Sequence, residues 1–172
     1  NKSLRADADE MESLWLYLGK QLHILNNEDA KIFYDKVINR TTDIRKKAEA
    51  AYYSGDYGLA RKELETAITI YPDDTSINGM LAVCLHKLDH VEEAVLLIDR
   101  LRAMKSTYQY GRVDYRLAQY YASIGDEAQM FDNLKLAVAS GKFYTLETFQ
   151  YDPHFTPYLD NEEFKNVMSF CH

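Results

Sequence analysis

Residues 48–60 read AEAAYYSGDYGLA, and residues 82–94 read AVCLHKLDHVEEA. When the two stretches are aligned, from Ala48 over Ala82 to Ala60 over Ala94, small residues and turn residues fall at the same places. A third stretch, residues 118–130, reads AQYYASIGDEAQM and follows the second at a slightly longer offset. Each stretch has apolar residues on both sides of a short polar turn, which predicts two helices joined by that turn. The chain is therefore predicted to repeat one helix pair three times.

The turns carry start and stop signals for these helices. Gly55 and Gly125 suit a left-handed helix stop. Asp89 and Asp126 are each followed three residues later by Glu or Gln, which is the spacing of a capping box and predicts an N-cap at both aspartates. Pro72 is expected to end the first copy, because its ring and its missing N–H break a continuing helix.

The alanine positions of the three copies resemble the tetratricopeptide repeat, whose period of about 34 residues equals the offset between the first two copies. Ala48, Ala82 and Ala118 stand where that family keeps a small residue at the crossing of its two helices. The second helices carry small–large pairs four residues apart, at Ala60 with Leu64, Ala94 with Ile98, and Met130 with Leu134. Met130 departs from the small residue of the pattern. The resemblance implies an all-α fold, a right-handed α-solenoid of stacked antiparallel helix pairs.

The flanking sequences extend this resemblance to a single domain over residues 1–172. Residues 15–22, WLYLGKQL, resemble the opening motif of the family, with Leu22 in place of Tyr. Residues 152–158, DPHFTPY, resemble a segment that closes bacterial tetratricopeptide proteins, and they predict a cap over the apolar face of the last helix pair. The predicted parts are a degenerate N-terminal helix pair (8–40), repeat 1 (41–74), repeat 2 (75–108), repeat 3 (109–142) and the C-terminal cap (143–172).

Charge and composition narrow the classes of partner. The chain has 20 Lys and Arg against 27 Asp and Glu, a net charge of −7, with no basic block. Nucleic acid and anionic membrane surfaces are therefore not expected as partners. The apolar runs of the sequence, such as residues 94–98, are far shorter than the roughly 20 residues that span a bilayer, so membrane insertion is not expected.

The compartment is unknown from the sequence. A cytoplasmic location is the default expectation. The chain begins at Asn1 rather than Met, so an N-terminal signal that has been removed remains an open alternative.

Few residues are arranged for chemistry. His86 and His90 have the spacing of two ligands on one helix face, but His90 falls in a predicted turn and no Cys-x-x-Cys lies nearby. Cys84 and His86 point about 200° apart on a helix, so they do not form a nucleophile–base pair, and Cys84 is predicted to be free and buried. Phosphate-binding, nucleophile-elbow and dinucleotide motifs do not occur in the sequence. We therefore expect that the chain is not an enzyme and that it has no metal site and no cofactor.

The first helix of each pair is expected to line the concave side of such an array. Helical spacing then selects a partner-binding groove of Arg45, Glu49, Tyr52, Tyr53, Val83, His86, Arg112, Tyr115 and Gln119. Its mixture of aromatic, apolar and charged side chains suits a short peptide or a helix. Some family members grip the carboxylates of chaperone C-termini, but Glu49 stands where that clamp needs Asn, so this activity is not expected.

These observations predict a non-catalytic adapter or scaffold that binds a partner polypeptide in the groove. Two alternatives stay open: a homo-oligomeric structural repeat domain, and a fragment of a larger tetratricopeptide protein. An enzyme is a third and weaker alternative. The oligomeric state and the identity of the partner do not follow from the sequence.

Overall fold

The structure is a computed structural model that describes residues 2–106, 110–141 and 149–170. Within these ranges the chain is helical and contains no strand. The helices are α1 (Lys2–Ile24), α2 (Ala30–Arg40), α3 (Ile44–Tyr53), α4 (Tyr57–Ile70), α5 (Thr75–Lys87), α6 (Val91–Ala103), α7 (Arg112–Ile124), α8 (Glu127–Ala139) and α9 (Glu162–Met168). Two short 3-10 helices, Phe149–Tyr151 and Pro153–Tyr158, precede α9. Helices α1 to α8 pack as consecutive pairs, which confirms the predicted all-α, tetratricopeptide-like fold.

Aspartate side chains cap the start of four of these helices, because the first backbone N–H groups of a helix have no partner within it. The side chain of Asp56 accepts from Leu59 N at 3.0 Å at the start of α4. The side chain of Asp126 accepts from Gln129 N at 3.1 Å at the start of α8, which confirms the predicted N-cap there. Helices α3 and α5 begin in the same way at Asp43 and Asp74.

The predicted N-cap at Asp89 was wrong. Asp89 has φ +64°, so it occupies the left-handed stop that Gly55 and Gly125 occupy in the other two turns. Aspartate tolerates this conformation better than most residues. The N-cap of α6 is instead His90, whose side chain caps none of the described N–H groups.

Small residues let the paired helices approach closely. Ala48, Ala82 and Ala118 are completely buried, and so are Ala60 and Ala94. The equivalent position in the third copy is Met130, which is also completely buried. The third pair therefore places a long side chain where the other two place a methyl group.

The chain divides into two compact units, Asn1–Pro72 and Asp73–His172. The first unit contains α1 to α4, and its core includes Leu16, Tyr34 and Val37. Gly19 lies where α1 meets Tyr34 of α2: a Cβ atom at this position would stand 2.6 Å from Tyr34 Cε1. That distance is shorter than any ordinary contact, so α1 and α2 pack in this way only because residue 19 is glycine.

The second unit contains α5 to α9. Helix α5 packs against α7, and a Cβ atom on Gly79 of α5 would lie 3.2 Å from Arg116 Cβ of α7. Phe155 and Phe164, which were predicted to belong to a cap, are buried in this unit, at 0% and 2% exposure. None of the described helices has the length and apolarity to cross a membrane.

Candidate partner-binding surfaces

In the first unit, the predicted binding residues lie on α3, and Arg45 is the most accessible of them. The Arg45 guanidinium lies 4.9 Å from the centre of the Tyr71 ring, and Tyr71 is 39% exposed. The same guanidinium lies 3.4 Å from the carboxylate of Asp43, the N-cap residue of α3. A cation over an aromatic face keeps both groups at the surface and holds them together. A partner would meet a ring and a planar cation side by side.

Glu49 and Tyr53 are half-buried on the same helix. Glu49 forms an ion pair with Lys20 of α1. The Lys20 ammonium lies 4.8 Å from the centre of the Tyr53 ring, and this ring stacks on Tyr34 with 6.2 Å between centroids. Because each of these side chains already has a contact, fewer rotamers remain to be lost when a partner binds.

Tyr52 lies in the interior, although helical spacing predicted it in the groove. It is 5% exposed and packs edge-on against Tyr53 and Tyr57, with centroid distances of 5.1 Å and 6.1 Å. The reason is the first residue of α4: the Tyr57 ring packs against Tyr52 after the turn. Tyr52 is therefore part of the interior, where it packs against Tyr53 of the α3 surface.

A shallow pocket of about 290 Å³ lies beside Tyr53 in the first unit. Its lining includes His23, Asn27, Lys31, Tyr34, Tyr53 and Ser54. Tyr34 is 1% exposed, and its hydroxyl has no hydrogen-bond partner among the described residues. Burial raises the pKa of Tyr34, and the charge of Glu49 raises it further, so this hydroxyl stays protonated.

In the second unit, the predicted residues of α5 are Val83 and His86. Val83 is 2% exposed and belongs to the core. His86 is half-buried, and its ring lies edge-on to Tyr120 of α7 with a centroid distance of 5.8 Å. His86 Nδ1 also lies 3.3 Å from the Tyr120 hydroxyl oxygen. Of the two predicted residues, only His86 reaches the surface.

The predicted residues of α7 are Arg112, Tyr115 and Gln119. Arg112 is exposed, but Tyr115 and Gln119 are 1% and 5% exposed. Their face of α7 is covered by residues 149–158, the segment that holds the two 3-10 helices. The Tyr115 ring lies edge-on to Phe149 and Phe155, with centroid distances of 5.1 Å and 5.9 Å. The sequence assigned this face of α7 to a partner and residues 152–158 to a cap over the last pair, and the structure places the capping segment on this same face.

Asp152 anchors this segment on α7. Its carboxylate accepts hydrogen bonds from the hydroxyl of Tyr115 and from Gln119 Nε2, the latter at 2.6 Å. The other carboxylate oxygen accepts from the backbone N–H of His154 at 3.0 Å and lies 2.5 Å from His154 Nδ1. A carboxylate that is 8% exposed is thus supplied with donors on both oxygens, which is what a buried charge requires.

The surroundings of Asp152 decide its protonation. Burial by itself raises the pKa of this carboxyl, but the charge of His154 and the hydrogen bonds from His154 and Tyr115 outweigh burial and hold the pKa well below its usual range. Asp152 therefore remains ionised at any physiological pH.

The residues considered for chemistry lie in ordinary surroundings. His90 Nδ1 lies 2.8 Å from a carboxylate oxygen of Glu93, whereas His86 faces Tyr120, so the two histidines have separate partners. The described residues hold no group of three or more His, Cys, Asp or Glu that could bind a metal ion. Cys84 is free and buried, as predicted, and burial raises the pKa of its thiol to about 12. Cys171 lies outside the described residues.

A larger and more apolar pocket, of about 810 Å³, lies between α8 and α9 of the second unit. Its lining includes Lys135, Val138, Ala139, Glu163, Val167 and Phe170. Phe170 is 73% exposed, so an aromatic ring stands at the edge of this pocket. The side chains of Lys135 and Glu163 pair across it at 2.6 Å.

Two residues that organise the α7 surface, Asp152 and Arg116, were not predicted from the sequence. Arg116 Nη1 donates to Gln119 Oε1 at 2.8 Å, and Arg116 Nη2 donates to Ser76 Oγ of α5 at 2.6 Å. The sequence around Asp152 did contain a local signal. In an Asp-Pro-His sequence, the Asp side chain is well placed to accept a hydrogen bond from the backbone N–H two residues later. Nothing local marks Arg116, which lies one residue from the predicted face.

Comparison with known families supports the repeat assignment. The sequence model of the tetratricopeptide repeat matches residues 51–110, which include most of repeat 1, all of repeat 2 and the first two residues of repeat 3. Together with the stacked helix pairs, this match confirms the resemblance that the spacing of the alanines indicated. Repeats of this family are generally protein-interaction modules and are typically non-catalytic. Neither the curated proteins nor the solved structures gave a match to the chain.

Proposed function

We propose that this chain, a helical repeat protein of the tetratricopeptide type, is a non-catalytic adapter or scaffold that binds a partner polypeptide through the first helices of its pairs. The observation that carries the proposal is the surface of α3. There Arg45 lies against the exposed ring of Tyr71, and Lys20 pairs with Glu49 and lies over the ring of Tyr53. Tyrosine and arginine side chains supply much of the binding energy at protein interfaces.

The charge of this surface suits a polypeptide better than a nucleic acid. Arg45 pairs with Asp43 and Lys20 of α1 pairs with Glu49, so both signs of charge occur on the surface that α3 forms with its neighbours. A nucleic-acid surface needs an excess of cations, and the whole chain has a net charge of −7. We infer that the partner presents aromatic or apolar side chains together with carboxylates, which the Arg45 guanidinium pairs well.

Affinity capture with matched variants tests this proposal. The full chain is used as bait in an extract of its source, and the captured polypeptide is then titrated against the purified chain. We expect Arg45→Ala to weaken binding by roughly five- to thirty-fold while the circular dichroism spectrum stays unchanged. The control is Glu65→Ala, an exposed residue of α4 that pairs locally with Arg61. If Glu65→Ala weakens binding and Arg45→Ala does not, α3 is not the binding surface and the proposal is wrong.

Self-association is a second candidate, and the apolar pocket between α8 and α9 is the observation that favours it. The ring of Phe170, which is 73% exposed at this pocket, would be covered by a second copy. Light scattering coupled to size exclusion distinguishes the candidates. A dimer that dissociates in the Phe170→Ser variant supports self-association through this pocket, and a monomer at about 100 μM excludes it at that concentration.

A further inference from the structure

Residues 149–158 lie on α7 in the manner of a bound peptide. The rings of Phe149 and Phe155 both lie edge-on to Tyr115, and the Tyr158 hydroxyl lies 3.4 Å from the carbonyl oxygen of Ala122. These α7 residues, together with Gln119, occupy one helix face at spacings of three and four residues. It is the face on which helical periodicity predicted partner binding.

The α7 face binds two groups of this segment, the carboxylate of Asp152 and an aromatic ring. Tyr115 and Gln119 both donate to the Asp152 carboxylate. Gln119 can point its amide N–H at the carboxylate because Arg116 donates to its carbonyl oxygen and fixes the orientation of the amide. Arg116 is in turn held by Ser76 of α5. The donors are therefore arranged by α5 and α7, and a carboxylate from another chain would meet the same arrangement.

We propose that this face of α7 is a recognition site for an acidic–aromatic peptide, an Asp followed three residues later by Phe, and that a partner polypeptide with this pattern binds there by displacing residues 149–158. The inference rests on the proposed function and specifies, for the second unit, the chemistry of the partner. The chain's own segment occupies the site in the absence of that partner.

Competition between the chain's own segment and a free peptide has a measurable consequence. A segment tethered close to its site has an effective concentration on the order of millimolar. A free peptide must compete with it, so the wild-type chain binds the peptide weakly, whereas a chain whose own segment is weakened binds it more tightly. The same contacts serve both, so changes on α7 must weaken binding of the free peptide as well.

The test uses the full chain and a fluorescein-labelled synthetic peptide with the sequence of residues 149–159, FQYDPHFTPYL. Fluorescence anisotropy is measured with the wild-type chain, with Asp152→Asn, and with Asp152→Asn combined with Gln119→Ala. We expect Asp152→Asn to bind the peptide at least about tenfold more tightly than wild type, and the added Gln119→Ala to remove most of that gain. The matched control is a peptide in which Asn replaces the Asp and Ala replaces the Phe three residues after it. This control peptide should not bind.

The Asp152→Asn variant retains the aromatic contacts of Phe155, so it is expected to stay folded, and circular dichroism verifies this. Should it unfold, wild-type chain titrated with millimolar peptide still reports the site through chemical shifts of α7 amides. A folded variant that binds no peptide overturns the proposal, and so does binding that survives Gln119→Ala unchanged. A wild-type dimer that dissociates in Asp152→Asn would make a second copy the occupant and would also overturn it. None of these outcomes depends on Arg45, whose variant tests the proposed function separately.

Discussion

The carboxylate of Asp152 accepts a hydrogen bond from the hydroxyl of Tyr115, which lies 37 residues earlier on α7. Gln119 and His154 complete the set of donors around the same carboxylate. The bond joins α7, the first helix of the last pair, to the segment that follows that pair. Residues 149–158 are therefore attached to α7 by a buried charge as well as by aromatic packing.

Removal of that charge should destabilise the chain. We expect Asp152→Ala to lower the free energy of unfolding by about 3 kcal/mol, because Tyr115, Gln119 and His154 would each lose the acceptor of a buried hydrogen bond. Urea titration followed by circular dichroism measures the change. The control is Asp160→Ala, an exposed carboxylate eight residues further along the chain, which should change the unfolding free energy by less than about 0.5 kcal/mol. Equal effects of the two substitutions would show that the Asp152 bonds contribute nothing specific.

The same carboxylate predicts how stability depends on pH. The pKa of Asp152 is lower in the folded chain than the value of about 4 for an unfolded aspartate, so the folded state binds its proton less readily. The stabilising contribution of the charge is therefore complete above about pH 4 and declines as the pH falls below that value towards the folded pKa. We expect the difference in unfolding free energy between wild type and Asp152→Asn to be constant from pH 7 to about pH 5 and to narrow below pH 4. A difference that widens on acidification would contradict this assignment.

Residues whose packing partners lie nearby in the sequence were predicted correctly. Residues whose partners lie far along the chain were not. Ala94 is completely buried, and the period of the repeat is enough to predict its burial. Tyr115 lies on the face that helical spacing predicted, but spacing does not say what covers a face. The cover comes from residues 149–158, whose position depends on the charge of Asp152 meeting donors on α7. Long-range contacts of that kind leave no periodic trace in the sequence.

The turn before α6 also shows where a local sequence pattern was not enough to predict the structure. The sequence after Asp89 has the spacing of a capping box, yet Asp89 takes the left-handed stop and His90 the cap. Aspartate suits both positions, so the pattern alone could not decide between them. The alignment with Gly55 and Gly125 holds the information that decides it, because all three residues occupy the same position in their turns.

The helix crossing at Ala94 provides a test of the repeat alignment. Ala94 is completely buried, whereas its neighbour Val95 is 46% exposed on the same helix. We expect Ala94→Leu to destabilise the chain by about 1–3 kcal/mol, because the close crossing has no room for three more carbon atoms. Val95→Leu, which changes an exposed side chain, should shift the free energy by less than about 0.5 kcal/mol. Thermal unfolding of the two variants measures both effects. An unchanged melting temperature for Ala94→Leu would mean that the crossing is loosely packed.

The close approach of Gly19 to Tyr34 makes a second pair of substitutions informative. Gly19→Ala would place a methyl group 2.6 Å from Tyr34 Cε1, and Tyr34 is 1% exposed, so its ring has little space to move. We expect a loss of about 1–3 kcal/mol from this overpacking, even though alanine favours a helix more than glycine does. Gly58→Ala is the matched control, since Gly58 is also helical and a Cβ atom there would lie 3.7 Å from its nearest neighbour, Asp56 Oδ1. With ordinary contact distance and a better helix former, Gly58→Ala should be neutral or stabilising by up to about 1 kcal/mol. Chemical unfolding of both variants gives the comparison. If Gly19→Ala is as stable as Gly58→Ala, then α1 and α2 can separate at no cost, and the glycine of the WLYLGKQL motif is not required by the packing of Tyr34.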